Sequence, residues 1–121
     1  EGGVMGEILL RLLMGHVVMD FWAQSDSLAR MKNRNRDSSS FCPPGQKPMT
    51  VWPYALTAHA LMHGLAVWIA TGSAWLCLAE TVCHWGIDFG KCDNWYGIHV
   101  DQFLHVVCKL AWCLVLAFWH K

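Results

Sequence analysis

Apolar residues run almost unbroken through four stretches of the chain, roughly Val4 to Ala23, Val51 to Ala70, Ser73 to Phe89 and Val100 to Trp119. Between the first two lies a polar segment, residues 24–50, rich in Ser, Asn, Arg and Pro. Each apolar stretch is near the ~17 to 25 residues that a helix needs to cross a hydrocarbon core of ~30 Å. The third is the shortest. A soluble four-helix bundle would show Lys and Glu at helical period along its outer faces, yet from Val51 to Phe89 the only acidic or basic residues are Glu80 and Asp88. The pattern therefore predicts an all-α fold, a four-helix transmembrane bundle forming a single integral membrane domain over residues 1–121, with 24–50 as a turn-rich polar loop.

The first stretch begins EGGVMGE and carries Glu7 and Arg11 inside it, which does not fit the basic n-region of a cleaved signal peptide. Glu7 and Arg11 are spaced i, i+4 in the order that favours pairing. Loop 24–50 holds Arg30, Lys32, Arg34, Arg36 and Lys47, the loop after the third stretch holds Lys91, and the turn at Thr71 to Gly72 holds no basic residue. Positive charge in short loops marks the cytoplasmic side, so loop 24–50 is expected in the cytoplasm, in a bacterial inner membrane, with both termini outside. His120 and Lys121 are the contrary signals. Trp22, Trp52 and Trp95 fall near the cytoplasmic ends of the stretches, and Trp75 and Trp119 near the opposite ends, as aromatic belts do.

Composition sharpens this picture. Of 121 residues 55% are hydrophobic and only 15% charged, with nine basic residues against nine acidic ones. A soluble domain shows about a quarter charged residues, and balanced charge without a basic stripe gives no electrostatic footprint for nucleic acid. Six Cys stand at 42, 77, 83, 92, 108 and 113, with no C-x-x-C pair. They read as buried small residues or, for Cys42 and Cys92, as reduced loop thiols.

The chemistry lies in what interrupts the apolar stretches. His16 and Asp20, His59 and His63, His84 and Asp88, and Asp101 and His105 form one pair per stretch, each spaced i, i+4. That spacing puts both side chains of a pair on one helical face, where they can converge on one ion. At ~1.5 Å per residue, the His16, His59, His84 and His105 side chains lie about 8 to 10 Å from the cytoplasmic ends, and His63 about 18 Å. Four pairs matched in depth point to one polar layer in the cytoplasmic half of the bundle. Ionisable groups at that depth must be paired, coordinated or wet, and five His with three Asp favour a metal centre over a hydrogen-bonded network. Imidazole with carboxylate suits a divalent transition metal, zinc first, with iron, manganese or nickel also compatible. Eight ligands allow one ion with an outer shell of Asp, or two ions sharing a carboxylate.

Other polar residues border these pairs. Gln24 lies one turn beyond Asp20, and Gln102 adjoins Asp101; with Asp20 and Asp88 they are the candidates for catalysis or substrate positioning. Glu80, i−4 from His84, is read either as a general base or as a partner of Arg11. Thr57 and Thr81 are weaker candidates, since a membrane Thr usually bonds its own helix, and His99 and His120 stand near stretch ends.

The ordered strings GHVVMDFWAQSDSLARMK, HALMHG, HWGIDFGK and DQFLHV resemble the small bacterial and phage membrane-protein family catalogued as domain of unknown function 3307. The resemblance runs from about Gly15 into the fourth stretch. It implies a small helical membrane protein and marks His16, Asp20, Gln24, His59, His63, His84, Asp88, Asp101, Gln102 and His105. The expected function is a metal-dependent hydrolase acting on a lipid or lipid-linked substrate at the cytoplasmic interface. In that setting Arg30, Lys32, Arg34 and Arg36 serve first as a positive-inside anchor and second as an attraction for an anionic head group. Two alternatives use the same residues: a non-catalytic metal-stabilised module that assembles with membrane partners or with itself, and ion or proton transport through the His/Asp network.

Overall fold

Pro53 in the first turn of one helix, Gly72 just beyond its end and Ser73 at the start of the next show how local chemistry punctuates this chain. Pro is tolerated where the first backbone N–H groups have no helical partner. Gly72 takes a left-handed φ of 72°, and Ser73 Oγ accepts from Leu76 N at 3.3 Å, so the turn between the two helices is only two residues long. The computed structural model describes residues 2–119, and these are helical with irregular connections. The α-helices are α1 (Gly2–Val17), α2 (Asp26–Met31), α3 (Trp52–Thr71), α4 (Ala74–Cys92) and α5 (Ile98–Trp119). The long helices run up and down, with α3 packed most closely on α4, α1 against α3 and α5, and α4 against α5. Gly64 makes the α3–α4 approach possible, because a Cβ there would meet Thr81 Oγ1 and the Cys77 carbonyl.

Several expectations change. The first helix does not continue regularly to Ala23: Val18–Trp22 is a π turn, closed by Ala23 N donating to Val18 O at 2.8 Å. Segment 24–50 is not all loop, since Ser25 caps the short α2 through its Oγ (Leu28 N, 3.1 Å). The third helix runs one turn past Phe89, which places Cys92 inside α4 and buried rather than in a loop. By length and composition α5 alone among the described helices is suited to crossing a membrane. The α-helical part of α1 is 16 residues, and α4 carries Glu80, Asp88 and Lys91, so the supported fold is an all-α helical bundle with one helix of membrane-spanning character. Two contrary charge signals, His120 and Lys121, lie outside the described residues.

Burial is inverted relative to a water-soluble domain. Among the described residues, the side chains below 2% exposure include Lys109, His59, His63, His84, His105, Glu80, Asp88 and Asp101, against only Leu12, Leu56 and Val67 of the large apolar ones. Meanwhile Phe21, Ile69, Val82, Phe103 and Phe118 are more than half exposed. Lys, Glu and Asp are almost never fully buried unless paired, so the interior has to be read as a set of specific polar partners.

Candidate metal centre

The five imidazoles of α1, α3, α4 and α5 meet in one layer. Ring centroids of His63 and His84 are 3.6 Å apart, His84 and His105 4.1 Å, His59 and His63 4.7 Å, and His16 and His105 5.0 Å. Each of the five residues is 3% exposed or less. The π turn aims Asp20 into this layer: its Oδ1 lies 3.1 Å from His63 Nε2 and 3.3 Å from His59 Nε2. Such turns are frequent at functional sites because they break the regular placement of side chains. Gln102 locks the other oxygen, donating from Nε2 to Asp20 Oδ2 at 2.8 Å, while its Oε1 lies 3.0 Å from His16 Nε2.

Three overlapping groups bring ligand atoms within 4.8 Å of one another: Asp20 with His59, His63 and His84; His16 with His84 and His105; and Asp20 with Asp101 and His105. Ligand atoms around a tetrahedral zinc ion, at about 2.0–2.1 Å from it, lie roughly 3.3 Å from each other. The spacing thus needs only small side-chain adjustment. Both ring nitrogens of His59 and His63, and His84 Nε2, are buried with no hydrogen-bond partner. Leaving a buried polar atom unpaired costs about 1–3 kcal/mol. One nitrogen of each ring, Nε2 of His59 and of His63 beside Asp20 Oδ1 together with His84 Nε2, fits a lone pair directed at a common cation.

An outer tier holds the layer in place. Glu80 Oε1 lies 3.4 Å from His84 Nδ1 and accepts from Lys109 Nζ at 2.5 Å, and its Oε2 accepts from Trp112 Nε1 at 2.6 Å. A proton on His84 Nδ1, shared with the carboxylate, leaves Nε2 free to face the cluster, the arrangement that orients metal-binding histidines. Arg11 is not the partner of Glu80; it pairs with Glu7 at 2.6 Å on an exposed face. Asp88 is committed outward, accepting from Lys32 Nζ at 2.5 Å with His59, His84 and His105 nitrogens 3.3 to 3.7 Å away. It belongs to none of the three convergent groups. Lys91 Nζ stands 3.4 Å from Asp101 Oδ2.

Of the sequence-derived candidates, His16, Asp20, His59, His63, His84, Asp101, His105 and Gln102 come together, Asp88 joins from the rim, and Gln24 reaches only the Asp20 backbone carbonyl, at 3.4 Å. His99 is exposed, and Thr81 bonds its own helix at Cys77 O, 2.8 Å. Thr57 accepts from Trp85 Nε1 at 3.2 Å. Sequence reasoning overlooked Lys32 and Lys109 as interior residues. The signals were present: Lys32 and Lys91 each stand downstream of a His/Asp pair, and Asp101, His105 and Lys109 continue one i, i+4 face.

The chain belongs to the family described as Protein of unknown function (DUF3307), whose profile matches residues 8–120. No curated protein and no solved structure matches it.

Proposed function

We propose that this protein is an intramembrane metal-binding protein acting as a metal-dependent hydrolase on a lipid or lipid-linked substrate at the cytoplasmic interface. The observation that carries the assignment is the buried layer of unpartnered imidazole nitrogens around Asp20. His59, His63, His84 and Asp20 are the first ligand set, with His16, His105 and Asp101 extending it to a second position. A bound divalent ion supplies Lewis acidity toward an ester or phosphoryl group. The chain's own residues do the rest: Glu80 holds the proton on His84 Nδ1, Gln102 fixes the Asp20 carboxylate, and Lys32 holds Asp88 in place beside His105. Zinc suits the ligand types, as do iron, manganese and nickel.

A four-helix membrane bundle is supported by the inverted burial, because apolar side chains facing lipid and ionisable ones facing the interior are what hydrocarbon surroundings require. Exposed Trp22 and Trp95 at the His end and exposed Trp75 and Trp119 at the other fit two interfacial belts. The basic α2 segment supports a cytoplasmic position for the His end. Near-complete enclosure of the imidazoles favours a second reading, a closed metal site that only stabilises the fold.

The test is elemental analysis of the detergent-purified protein before and after chelation. One or two tightly held transition-metal ions per chain are expected, with His59→Ala lowering metal affinity at least tenfold, on the order of what loss of one supporting residue does, and with exposed His99→Ala leaving it unchanged. Asp88→Asn lowers both metal content and stability. Full metal content in His59→Ala overturns the ligand assignment. Hydrolysis of lipid phosphates or esters by the loaded protein separates the enzyme from the structural reading.

A further inference from the structure

Where α2, the last turn of α4 and the start of α5 meet, the bundle end opens into a cleft of about 600 Å³. That is within the roughly 300–1,000 Å³ of small-molecule sites. Its walls carry Arg30, Lys32, Arg36 and Lys91 against one carboxylate, Asp26, four cations less one anion and so a formal net of +3. The cations divide into two kinds. Lys32, buried, and Lys91, part-buried, already lean on Asp88 and Asp101 of the His/Asp layer, while Arg34, outside the cleft, is taken by Asp93. Arg30 and Arg36 stand exposed at the mouth with no ion pair among the described residues. Gln24, also in the wall, has a buried Oε1 without a partner.

We infer that this cleft binds a phosphate group and presents it to the His/Asp layer, which names the substrate class for the function proposed above and rests on that reading. A phosphate monoester carries about −1.5 to −2 charge and three acceptor oxygens, enough to engage both free guanidinium groups at once. Arg offers the planar fork that matches phosphate oxygens in pairs. A carboxylate, with one charge and two oxygens, would leave the mouth overcharged. Two further lining residues supply the connection to the chemistry: Lys32 pairs with Asp88 at the rim of the layer, and Lys91 stands beside Asp101 within it. Phosphate on a lipid head group and free phosphate share this chemistry.

The experiment is calorimetric titration of the full chain in a non-ionic detergent, after chelation, with dihexanoyl phosphatidic acid, dihexanoyl phosphatidylcholine and inorganic phosphate. Phosphatidic acid is expected to bind at least about tenfold more tightly than phosphatidylcholine, and the double variant Arg30→Ala/Arg36→Ala to bind it about tenfold or more weakly, the size of one missing charge-assisted hydrogen bond. Both arginines are exposed, so the melting temperature and metal content of the variant match those of the native chain. Inorganic phosphate binding as tightly as phosphatidic acid supports the site with a free anion as its ligand; tighter binding of phosphatidic acid supports it with a lipid. Equal affinity of native and variant protein, or no preference over phosphatidylcholine, overturns the proposal and leaves the basic residues as a membrane anchor. A protein that holds no transition metal but loses phosphate binding in the variant keeps this site and sinks only the metal-enzyme reading.

Discussion

At one end of the bundle Leu12, Val67, Leu76 and Leu116 meet as buried apolar side chains, with Met5, Ile8, Ala70, Trp112 and Cys113 packed around them. Towards the other end the same four helices bury imidazoles, carboxylates and two lysines, and close over them with α2. The first region is held by shape and is chemically plain. The second is held by named partners: Glu80 with Lys109 and Trp112, Asp88 with Lys32, Asp20 with Gln102. The two therefore differ in how they tolerate substitution. Truncating an apolar side chain leaves a cavity, whereas removing the partner of a buried ion leaves an uncompensated charge. If the proposed membrane setting holds, outer faces covered in Phe, Val and Ile give these helices little reason to associate, and polar partners and close small-residue packing supply specificity.

The sharpest way to break this comparison is Glu80→Leu, which strands Lys109 and is expected to cost about 3–5 kcal/mol in detergent denaturation. Adding Lys109→Met should restore most of that stability; if the double variant is no more stable than the single one, the pair does not behave as a buried ion pair. Leu12→Ala at the apolar end is expected to cost about 2–3 kcal/mol through cavity formation while leaving metal content intact. A fall in metal content there would mean that the two ends are coupled. Gly64→Ala forces α3 and α4 apart, for about 1–2 kcal/mol, and because His63 is its neighbour it should weaken metal affinity as well as stability. Retained affinity would show that the layer adjusts to helix spacing.

The smallest effect concerns the exposed rim. Hydrogen bonds from the Arg34 guanidinium hold the Asp93 carboxyl below the ordinary carboxylate range. A carboxyl depressed in the folded state stabilises above its unfolded pKa, about 3.9, and loses that contribution as pH falls through its lower folded value. Native and Arg34→Ala melting temperatures should therefore differ slightly at pH 7 and converge as pH falls below about 4. Solvent and salt screening keep the difference small.

The four long helices, their order and the His/Asp pairs that meet between them could be read from spacing, because an i, i+4 pair on an apolar helix has one face to share. The π turn could not. His16 and Asp20 look like any other i, i+4 pair, yet Val18–Trp22 widens its turn to bring Asp20 to His59 and His63. Lys32 was also hidden, since a Lys in a basic loop ordinarily anchors the chain to the cytoplasmic face, and only the fold of α2 against α3 carries it to Asp88. Local pattern decides which residues can be helical and which face is polar, because backbone geometry and hydropathy act within a few turns. Which nitrogen faces which oxygen, whether Glu80 answers Arg11 or Lys109, and where the free arginines gather depend on residues far apart in the chain, which meet only once the helices have packed.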